Sequence, residues 1–322
     1  MLKFEPILKT VVWGGEKLAA YKGLTTDLHG IGESWELSGL AGHCSVVAEG
    51  PDRGLSLAGL IARDGAQLLG ERNLRRFGGA FPLLVKFIDA RADLSVQVHP
   101  NDALARTRHG APNGKTEMWY VVAADDDARL KVGFRTPVSR EAYEAAVADG
   151  TIADLLAEYR VQAGDLFFLP AGRIHTIGAG TFLVEIQQPS DITYRVWDYN
   201  RLDTNGRLRE LHTELAKEAI DFTVAPDYRT SYAAAQDRAV PLIACDCFTT
   251  QLYDLTAAQS LDLTTLDSFV VAICIEGAGS LTDDRGERLP IRRGETVLIP
   301  ASTRRLTVDP QTTPFKLITA WV

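Results

Sequence analysis

The chain has 322 residues, of which 46% are hydrophobic and 24% are charged, and its formal net charge is -8. This composition is ordinary for a globular protein, and the length predicts one large or two medium domains. The negative charge excludes a general attraction to nucleic acid backbones, and no apolar run is long enough to predict a membrane span. The first residues lack the uncharged core of a signal peptide, so we expect a cytoplasmic protein without nucleic acid or membrane partners.

Taken in chain order, the sequence predicts many short strands and two helical patches. Residues 1–53 read as strands and turns, and leucines at roughly helical spacing predict helix over 55–79, with a break at Asp64-Gly65. The apolar run 81–90 predicts a buried strand, and residues 139–158 predict a helix with Ser139 as its N-cap. Strands and turns return from residue 161 and again from 228 to 322. This pattern favours a mainly β protein with helical insertions.

The stretch 94–102, LSVQVHPND, carries the first candidate site residues. On a strand, successive side chains point to opposite faces, so Val96 and Val98 share one face while Gln97 and His99 share the other. An apolar face opposite a paired amide and imidazole is typical of a strand that lines a metal-holding barrel. The alternative is a half-exposed strand that carries the two polar residues by chance.

Two further stretches supply residues of the same chemistry. In 115–123, KTEMWYVVA, alternation places Lys115, Glu117 and Trp119 on one face of a predicted strand. Residues 164–175, GDLFFLPAGRIH, have the pattern Gly-x5-Pro-x-Gly-x2-His, which ends at His175 and resembles the second motif of the cupin superfamily. The first cupin motif is matched more loosely.

One amide, two imidazoles and one carboxylate make a set that suits a divalent ion such as Zn²⁺, with a position open for water or substrate. We therefore predict one Zn²⁺ per chain, held by Gln97, His99, Glu117 and His175. Gln97 stands where the usual cupin pattern has its first histidine.

These motifs together resemble type I phosphomannose isomerase (mannose-6-phosphate isomerase) in its short bacterial form. The resemblance covers most of the chain and is carried by Trp13-Gly14-Gly15, SVQVHPND at 95–102, GKTEMWYV at 114–121, PAGRIHTIGAG at 170–180 and VEIQQPSDITYRVWDYNR at 184–201. It implies interconversion of mannose 6-phosphate and fructose 6-phosphate, a small sugar phosphate, through a cis-enediol-type intermediate.

The resemblance also implies residue roles. Lys115, Glu185 and Arg195 would be catalytic, and Trp13 and Arg201 would bind substrate. The base that removes the C2 proton stays open between Glu185, Lys115 and a metal-bound water. For Glu185 a structural salt bridge is an equal alternative, because a carboxylate in so apolar a strand needs a partner.

The C-terminal region repeats part of the site motif without its ligands. Residues 294–300, GETVLIP, have the Gly-x5-Pro spacing of 164–170, and Arg305 falls where His175 would be. We predict two cupin-like jelly-roll barrels: a metal-binding catalytic domain over 1–225, with helical insertions at about 55–79 and 139–158, and a second barrel over 226–322 that lacks metal ligands. The alternative is two unrelated hairpins with chance spacing.

Other functions remain as hypotheses at this point. The same scaffold could isomerise another sugar or sugar phosphate, or bind sugar without catalysis, and Gln97 disfavours an iron-dependent cupin dioxygenase. The four cysteines make no CxxC pair, so we expect reduced thiols that pack as small hydrophobic residues. The sequence does not predict the oligomeric state.

Overall fold

The computed structural model describes residues 1–203 and 205–322. The predicted first domain includes Thr204, which lies outside the described residues. The strands are β1 (Leu2–Lys3), β2 (Ile7–Gly15), β3 (Ile31–Ser38), β4 (Leu84–Asp89), β5 (Val96–Val98), β6 (Glu117–Ala124), β7 (Arg129–Phe134), β8 (Leu156–Arg160), β9 (Leu166–Leu169), β10 (His175–Ile177), β11 (Thr181–Gln187), β12 (Tyr194–Trp197), β13 (Val240–Ala244), β14 (Thr249–Asp254), β15 (Gln259–Asp262), β16 (Val270–Glu276), β17 (Ala278–Asp283), β18 (Arg288–Arg292), β19 (Thr296–Ile299), β20 (Arg305–Pro310) and β21 (Lys316–Trp321). The helices are α1 (Lys17–Lys22), α2 (Leu57–Asp64), α3 (Ala66–Leu69), α4 (Glu71–Phe77), α5 (Asp102–His109), α6 (Arg140–Ala148) and α7 (Thr213–Ala219).

The strands form four antiparallel sheets. Sheet I has the order β2-β3-β4-β11-β6-β9, and sheet II has the order β12-β5-β10-β7-β8. Sheet III has the order β1-β19-β16-β21-β14-β13, and sheet IV has the order β15-β20-β17-β18. The predicted mainly β fold is therefore confirmed, although among the described strands each half is a pair of open sheets and not a closed barrel.

The sheets stack in the order II, I, III, IV. One face of sheet I shares a hydrophobic core with sheet II, through residues such as Ile88 and Ile177. The other face of sheet I shares a core with sheet III, through residues such as Phe87 and Ile318, and sheets III and IV enclose a further core. Because sheet I is covered on both faces, all six residues of β4 are buried, as the apolar run 81–90 predicts.

Helices cover the outer face of sheet II, where Val96 and Val98 pack in one cluster with α6 and α7. The helical prediction for 139–158 holds only in its first half. Ser139 caps α6 by accepting a hydrogen bond from Ala142 N, but the helix ends at Ala148, a 3₁₀ turn spans Ile152–Leu155, and β8 follows. The helix ends because Gly150 has a φ of 71°, a left-handed conformation that stops a helix. A Cβ at Gly150 would also collide with the ring of Trp197.

The predicted helical patch at 55–79 is present as α2, α3 and α4. Gly65 and Gly70 separate the three helices and have φ values of 48° and 89°, which explains why no single long helix forms. Leucines of α2 and α3 pack into the core between sheets I and III. No helix within residues 1–203 or 205–322 is long and apolar enough to cross a membrane.

The repeated Gly-x5-Pro spacing corresponds to repeated structure. Gly164 precedes β9 and His175 begins β10, while Gly294 precedes β19 and Arg305 begins β20. Both glycines have positive φ values, 94° and 83°, as the turn before each strand requires. Every strand of sheets I and II lies before residue 225. The strands of sheets III and IV lie after residue 226, except for β1. The division into two domains at residue 225 stays a prediction.

Candidate functional site

The site lies between sheets I and II, and strand register explains how its first half is built. In sheet II, Gln97 on β5 is directly opposite His175 on β10 and Arg195 on β12. Directly opposite residues of antiparallel strands point to the same face. His175, Gln97 and Arg195 therefore form a row across sheet II that faces sheet I.

Sheet I contributes a second row. Glu185 on β11 is directly opposite Lys86 on β4 and Trp119 on β6. Glu117 lies two residues before Trp119 on β6, so it points to the same face. The two rows face each other across the space between sheets I and II. The alternation predicted for Lys115, Glu117 and Trp119 accounts for the part of the second row that β6 contributes.

His99, Glu117 and His175 converge at the centre. Glu117 Oε1 lies 3.3 Å from His175 Nε2, and Glu117 Oε2 lies 3.7 Å from His99 Nε2. His99 Nδ1 is 2.9 Å from the Ile192 carbonyl oxygen, and His175 Nδ1 is 2.8 Å from that of Arg173. A carbonyl oxygen only accepts, so each Nδ1 carries the proton and each Nε2 turns a lone pair toward Glu117.

The three side chains fit a divalent metal ion. Their ligand atoms lie within 4.8 Å of one another, and both buried oxygens of Glu117 accept no hydrogen bond of normal geometry from any described residue. Burial lowers the pKa of both His99 and His175, so their imidazoles are neutral and can ligate. Two imidazoles and a carboxylate, with the histidines oriented by carbonyl oxygens, are the donor set of catalytic zinc sites.

Gln97 lies beside this group. Its Nε2 is 3.3 Å from His175 Nε2, and a half-turn of the amide exchanges its nitrogen and oxygen. The side chain can therefore present an oxygen to the centre. Its role as the fourth ligand stays a prediction.

Lys115 connects the histidine and carboxylate group to the second row. Its Nζ lies 2.6 Å from Glu117 Oε2, 3.2 Å from His99 Nε2 and 3.7 Å from Glu185 Oε1. Even with this ammonium so close, burial raises the pKa of Glu117 to about 8. The carboxylate therefore gains strongly from any further positive charge at the centre.

Glu185 is held ionised by different partners. Its Oε1 accepts a hydrogen bond from Lys86 Nζ at 2.9 Å, and its Oε2 accepts one from Trp119 Nε1 at 3.0 Å. Burial alone would raise the pKa of Glu185, but Lys115 and Lys86 outweigh burial and hold the pKa at about 2. The salt bridge expected as one alternative for Glu185 is present, and it lies within reach of Lys115.

The sequence does not predict Lys86 as a site residue or the contact of Trp119 with His175. Lys86 is buried in β4, and a lysine inside the apolar run 81–90 is a signal for a buried partner. Alternation predicts the correct face for Trp119, but its edge-on contact with His175, at 5.0 Å between ring centroids, depends on the pairing of the two sheets.

The remaining predicted residues have other partners. Arg195 shares the sheet II row, and its Nη1 donates to the Glu210 carbonyl oxygen at 2.7 Å. Arg201 donates to Asp198 Oδ1 at 2.6 Å and to the Asp93 carbonyl oxygen at 2.7 Å. Trp13 is buried in the core between sheets I and II. No hydrogen bond or ion pair among the described residues joins Trp13 or Arg201 to the histidine and carboxylate group.

Comparison with known proteins agrees with this geometry. Residues 1–125 match the family model for "Phosphomannose isomerase type I, catalytic domain", and residues 240–316 match that for "Mannose-6-phosphate isomerase, cupin domain". The chain is 35% identical to the mannose-6-phosphate isomerase ManA of Bacillus subtilis over 93% of this chain and 92% of that protein. It is 32% identical to the mannose-6-phosphate isomerase of Streptococcus mutans over 92% of each chain.

Solved structures show the same fold. A crystal structure of the mannose 6-phosphate isomerase from Bacillus subtilis superposes with a TM-score of 0.87 and 28% identity, covering 100% of this chain and 99% of that one. A phosphomannose isomerase from Salmonella typhimurium shares the fold alone, with a TM-score of 0.80 and 18% identity, covering 100% of this chain and 99% of that chain. With its sequence relatives and both family models in agreement, the chain belongs to the type I phosphomannose isomerase family.

Proposed function

We propose that this protein is a zinc-dependent isomerase that interconverts mannose 6-phosphate and fructose 6-phosphate. The observation that carries the proposal is the buried group of His99, Glu117 and His175 beside the Lys115–Glu185 pair. The relatives named mannose-6-phosphate isomerase match nearly the whole chain, which supports a sugar phosphate as the substrate.

His99, Glu117 and His175, with Gln97 as the fourth side chain, would hold the ion. When bound, zinc would supply Lewis-acid chemistry toward substrate oxygens. The imidazoles are fixed before any ion binds, because each Nδ1 already donates to a carbonyl oxygen. The chain therefore offers a preorganised site.

Lys115 is the group we assign to proton exchange between C2 and C1 of the substrate. Its Nζ faces both His99 and Glu117, whereas both oxygens of Glu185 are already engaged by Lys86 and Trp119. Glu185 accordingly acts as the charged partner that keeps Lys115 in place. Of the three candidates for the base that the sequence leaves open, this assignment selects Lys115.

Arg195 is suited to stabilise negative charge on the substrate. Its buried Nε has no hydrogen-bond partner among the described residues, and the side chain belongs to the same row as Gln97 and His175. A guanidinium is always charged and offers several donors to an enediolate or phosphate oxygen. Arg201 and Trp13 stay predictions as substrate-binding residues, and Arg201 is the weaker candidate for the phosphate because its guanidinium already donates to Asp198.

The proposal is tested with purified protein that has been loaded with zinc. We expect fructose 6-phosphate to form from mannose 6-phosphate, and a much slower reaction with unphosphorylated mannose. Absence of turnover on every hexose 6-phosphate, at full zinc occupancy, would refute the isomerase. Equal rates on mannose and mannose 6-phosphate would instead assign a different substrate.

The role of Lys115 has its own test. Lys115→Arg keeps the charge near Glu117 but replaces the amine, so we expect kcat to fall by about 10²–10⁴-fold, the usual contribution of a proton-transferring group. Exchange of the substrate C2 proton with deuterated solvent should fall in parallel. A variant that retains wild-type exchange would show that another group moves the proton.

A further inference from the structure

A buried glutamine directly after β11 is bonded to the residue between two members of the site. Gln188 Oε1 accepts a hydrogen bond from Thr116 N at 2.9 Å, and Gln188 N donates to the Thr116 carbonyl oxygen at 3.0 Å. Thr116 stands between Lys115 and Glu117 in the sequence. Gln188 therefore holds both peptide groups of Thr116, one on the side of Lys115 and one on the side of Glu117.

Asp102 fixes the orientation of the Gln188 amide. Gln188 Nε2 donates to Asp102 Oδ1 at 2.9 Å, and the same oxygen accepts the Gly114 N–H at 2.8 Å. A half-turn of the amide would set its oxygen against the carboxylate and its nitrogen against the Thr116 N–H. Only one orientation of the Gln188 side chain therefore satisfies both partners.

The surroundings of Gly114 show how closely the neighbouring segments approach. A Cβ added at Gly114 would lie 2.3 Å from the Pro100 carbonyl oxygen, and Lys115 N donates to that same oxygen at 3.1 Å. Pro100 directly follows His99. The segment before Lys115 therefore lies against the segment that carries His99.

Lys115 depends on these bonds more than Glu117 does. Glu117 lies inside β6, where it pairs with Leu169 on β9 and Gln187 on β11. Lys115 precedes β6 and lies outside this ladder. A lysine side chain is a flexible four-carbon stem, so its Nζ is placed accurately only when the backbone that carries it is fixed. Gln188 fixes that backbone.

We propose that Gln188, oriented by Asp102, is a positioning residue that fixes Lys115 for proton exchange at the substrate. The inference rests on the proposed isomerase and on the role of Lys115 in it. Loss of the Gln188 amide leaves the Thr116 N–H without its partner, so the chain at Lys115 shifts. Small displacements of catalytic groups are costly, so we expect kcat to fall about tenfold.

Gln188→Met tests the proposal, because it keeps the length of the side chain and removes both hydrogen bonds of the amide. We expect kcat to fall about tenfold while KM stays within about twofold of the wild-type value. The variant should bind as much zinc as the wild type, because His99 and His175 keep their own anchors. Gln162→Met, at an exposed position before β9, is the matched control and should behave like the wild type.

Two further comparisons separate positioning from a general structural effect. In a Lys115→Arg background, Gln188→Met should cause no further loss of kcat, because its effect passes through Lys115. Gln188→Glu keeps an acceptor for Thr116 N but sets a second carboxylate against Asp102, so kcat should fall. Adding Asp102→Asn restores a donor opposite an acceptor, and this exchanged pair should recover most of the kcat that Gln188→Glu loses.

A wild-type kcat in Gln188→Met, the full further loss in the Lys115→Arg background, or no recovery in the exchanged pair would overturn the proposal. If Gln188→Met does not fold, Gln188→Glu carries the same comparison. If the wild-type protein lacked isomerase activity, the proposed function would fail, and amide hydrogen exchange at Thr116 would decide the positioning by itself. Faster exchange in Gln188→Met than in the wild type supports it, whereas equal exchange rates overturn it.

Discussion

Lys86 and Glu185 form a buried ion pair, and this pair sets the charge around Lys115. Both side chains are almost fully buried, at 7% and 3% exposure. Removing one partner of a buried pair leaves an uncompensated charge, which typically costs about 3–5 kcal/mol. Lys86→Met should therefore lower the free energy of unfolding by about that amount in urea titrations.

Lys17 provides the matched control for this variant. It pairs with Asp125 on the surface, with 47% and 65% of the side chains exposed, and exposed pairs contribute about 0–1 kcal/mol. Lys17→Met should therefore leave unfolding nearly unchanged. Glu185→Gln added to Lys86→Met should recover most of the loss, and equal destabilisation by the two lysine variants would contradict the ion-pair role.

At the scale of single residues, the sequence was most informative where local geometry decides orientation. Gln97 and His99, like Lys115 and Glu117, share a face because side chains alternate along one strand. The partner of Glu185 was not predictable in this way, because it depends on the register of β4 against β11, which are far apart in the chain. The engagement of Arg201 with Asp198 likewise depends on loop geometry.

Helix α6 supports the site from behind, since it packs against the face of β5 opposite Gln97. Its N-cap is Ser139, whose Oγ accepts the Ala142 N–H at 3.1 Å. Ser139→Ala removes this bond and should cost about 1 kcal/mol of stability. The isomerase rate at low temperature should stay close to that of the wild type.

Ser260→Ala is the control, because Ser260 is exposed on β15 and such surface changes stay within about 0.5 kcal/mol. Thermal unfolding of both variants under one set of conditions gives the comparison. A cost for Ser139→Ala no larger than that for Ser260→Ala would argue against the cap.

Among the elements, those whose pattern is local were predicted well. The buried strand β4 and the helical patch at 55–79 follow from composition and spacing. The early end of α6 also has a local signal, Gly150, whose left-handed φ of 71° stops the helix. The partner of strand β1, in contrast, was not predictable, since its two residues pair with β19 near the other end of the chain.

For the whole molecule, a bound ion should join sheets I and II, because Glu117 belongs to one and His175 to the other. A ligand present at 1,000 times its Kd stabilises the folded state by about 4 kcal/mol. Removal of zinc with a chelator should therefore lower the unfolding midpoint, and restored zinc should reverse the shift. His175→Ala should unfold at the same midpoint with and without chelator; a chelator effect of wild-type size in that variant would place the ion elsewhere.

The claim that two facing rows of side chains form one metal centre is tested most directly by crystallography of the zinc-loaded protein. We expect a single anomalous difference peak at the zinc edge, bonded to Nε2 of His99, Nε2 of His175 and the carboxylate of Glu117. A strong peak at any other position would contradict the single metal centre. So would the absence of a peak between these three residues when zinc occupancy in solution is full.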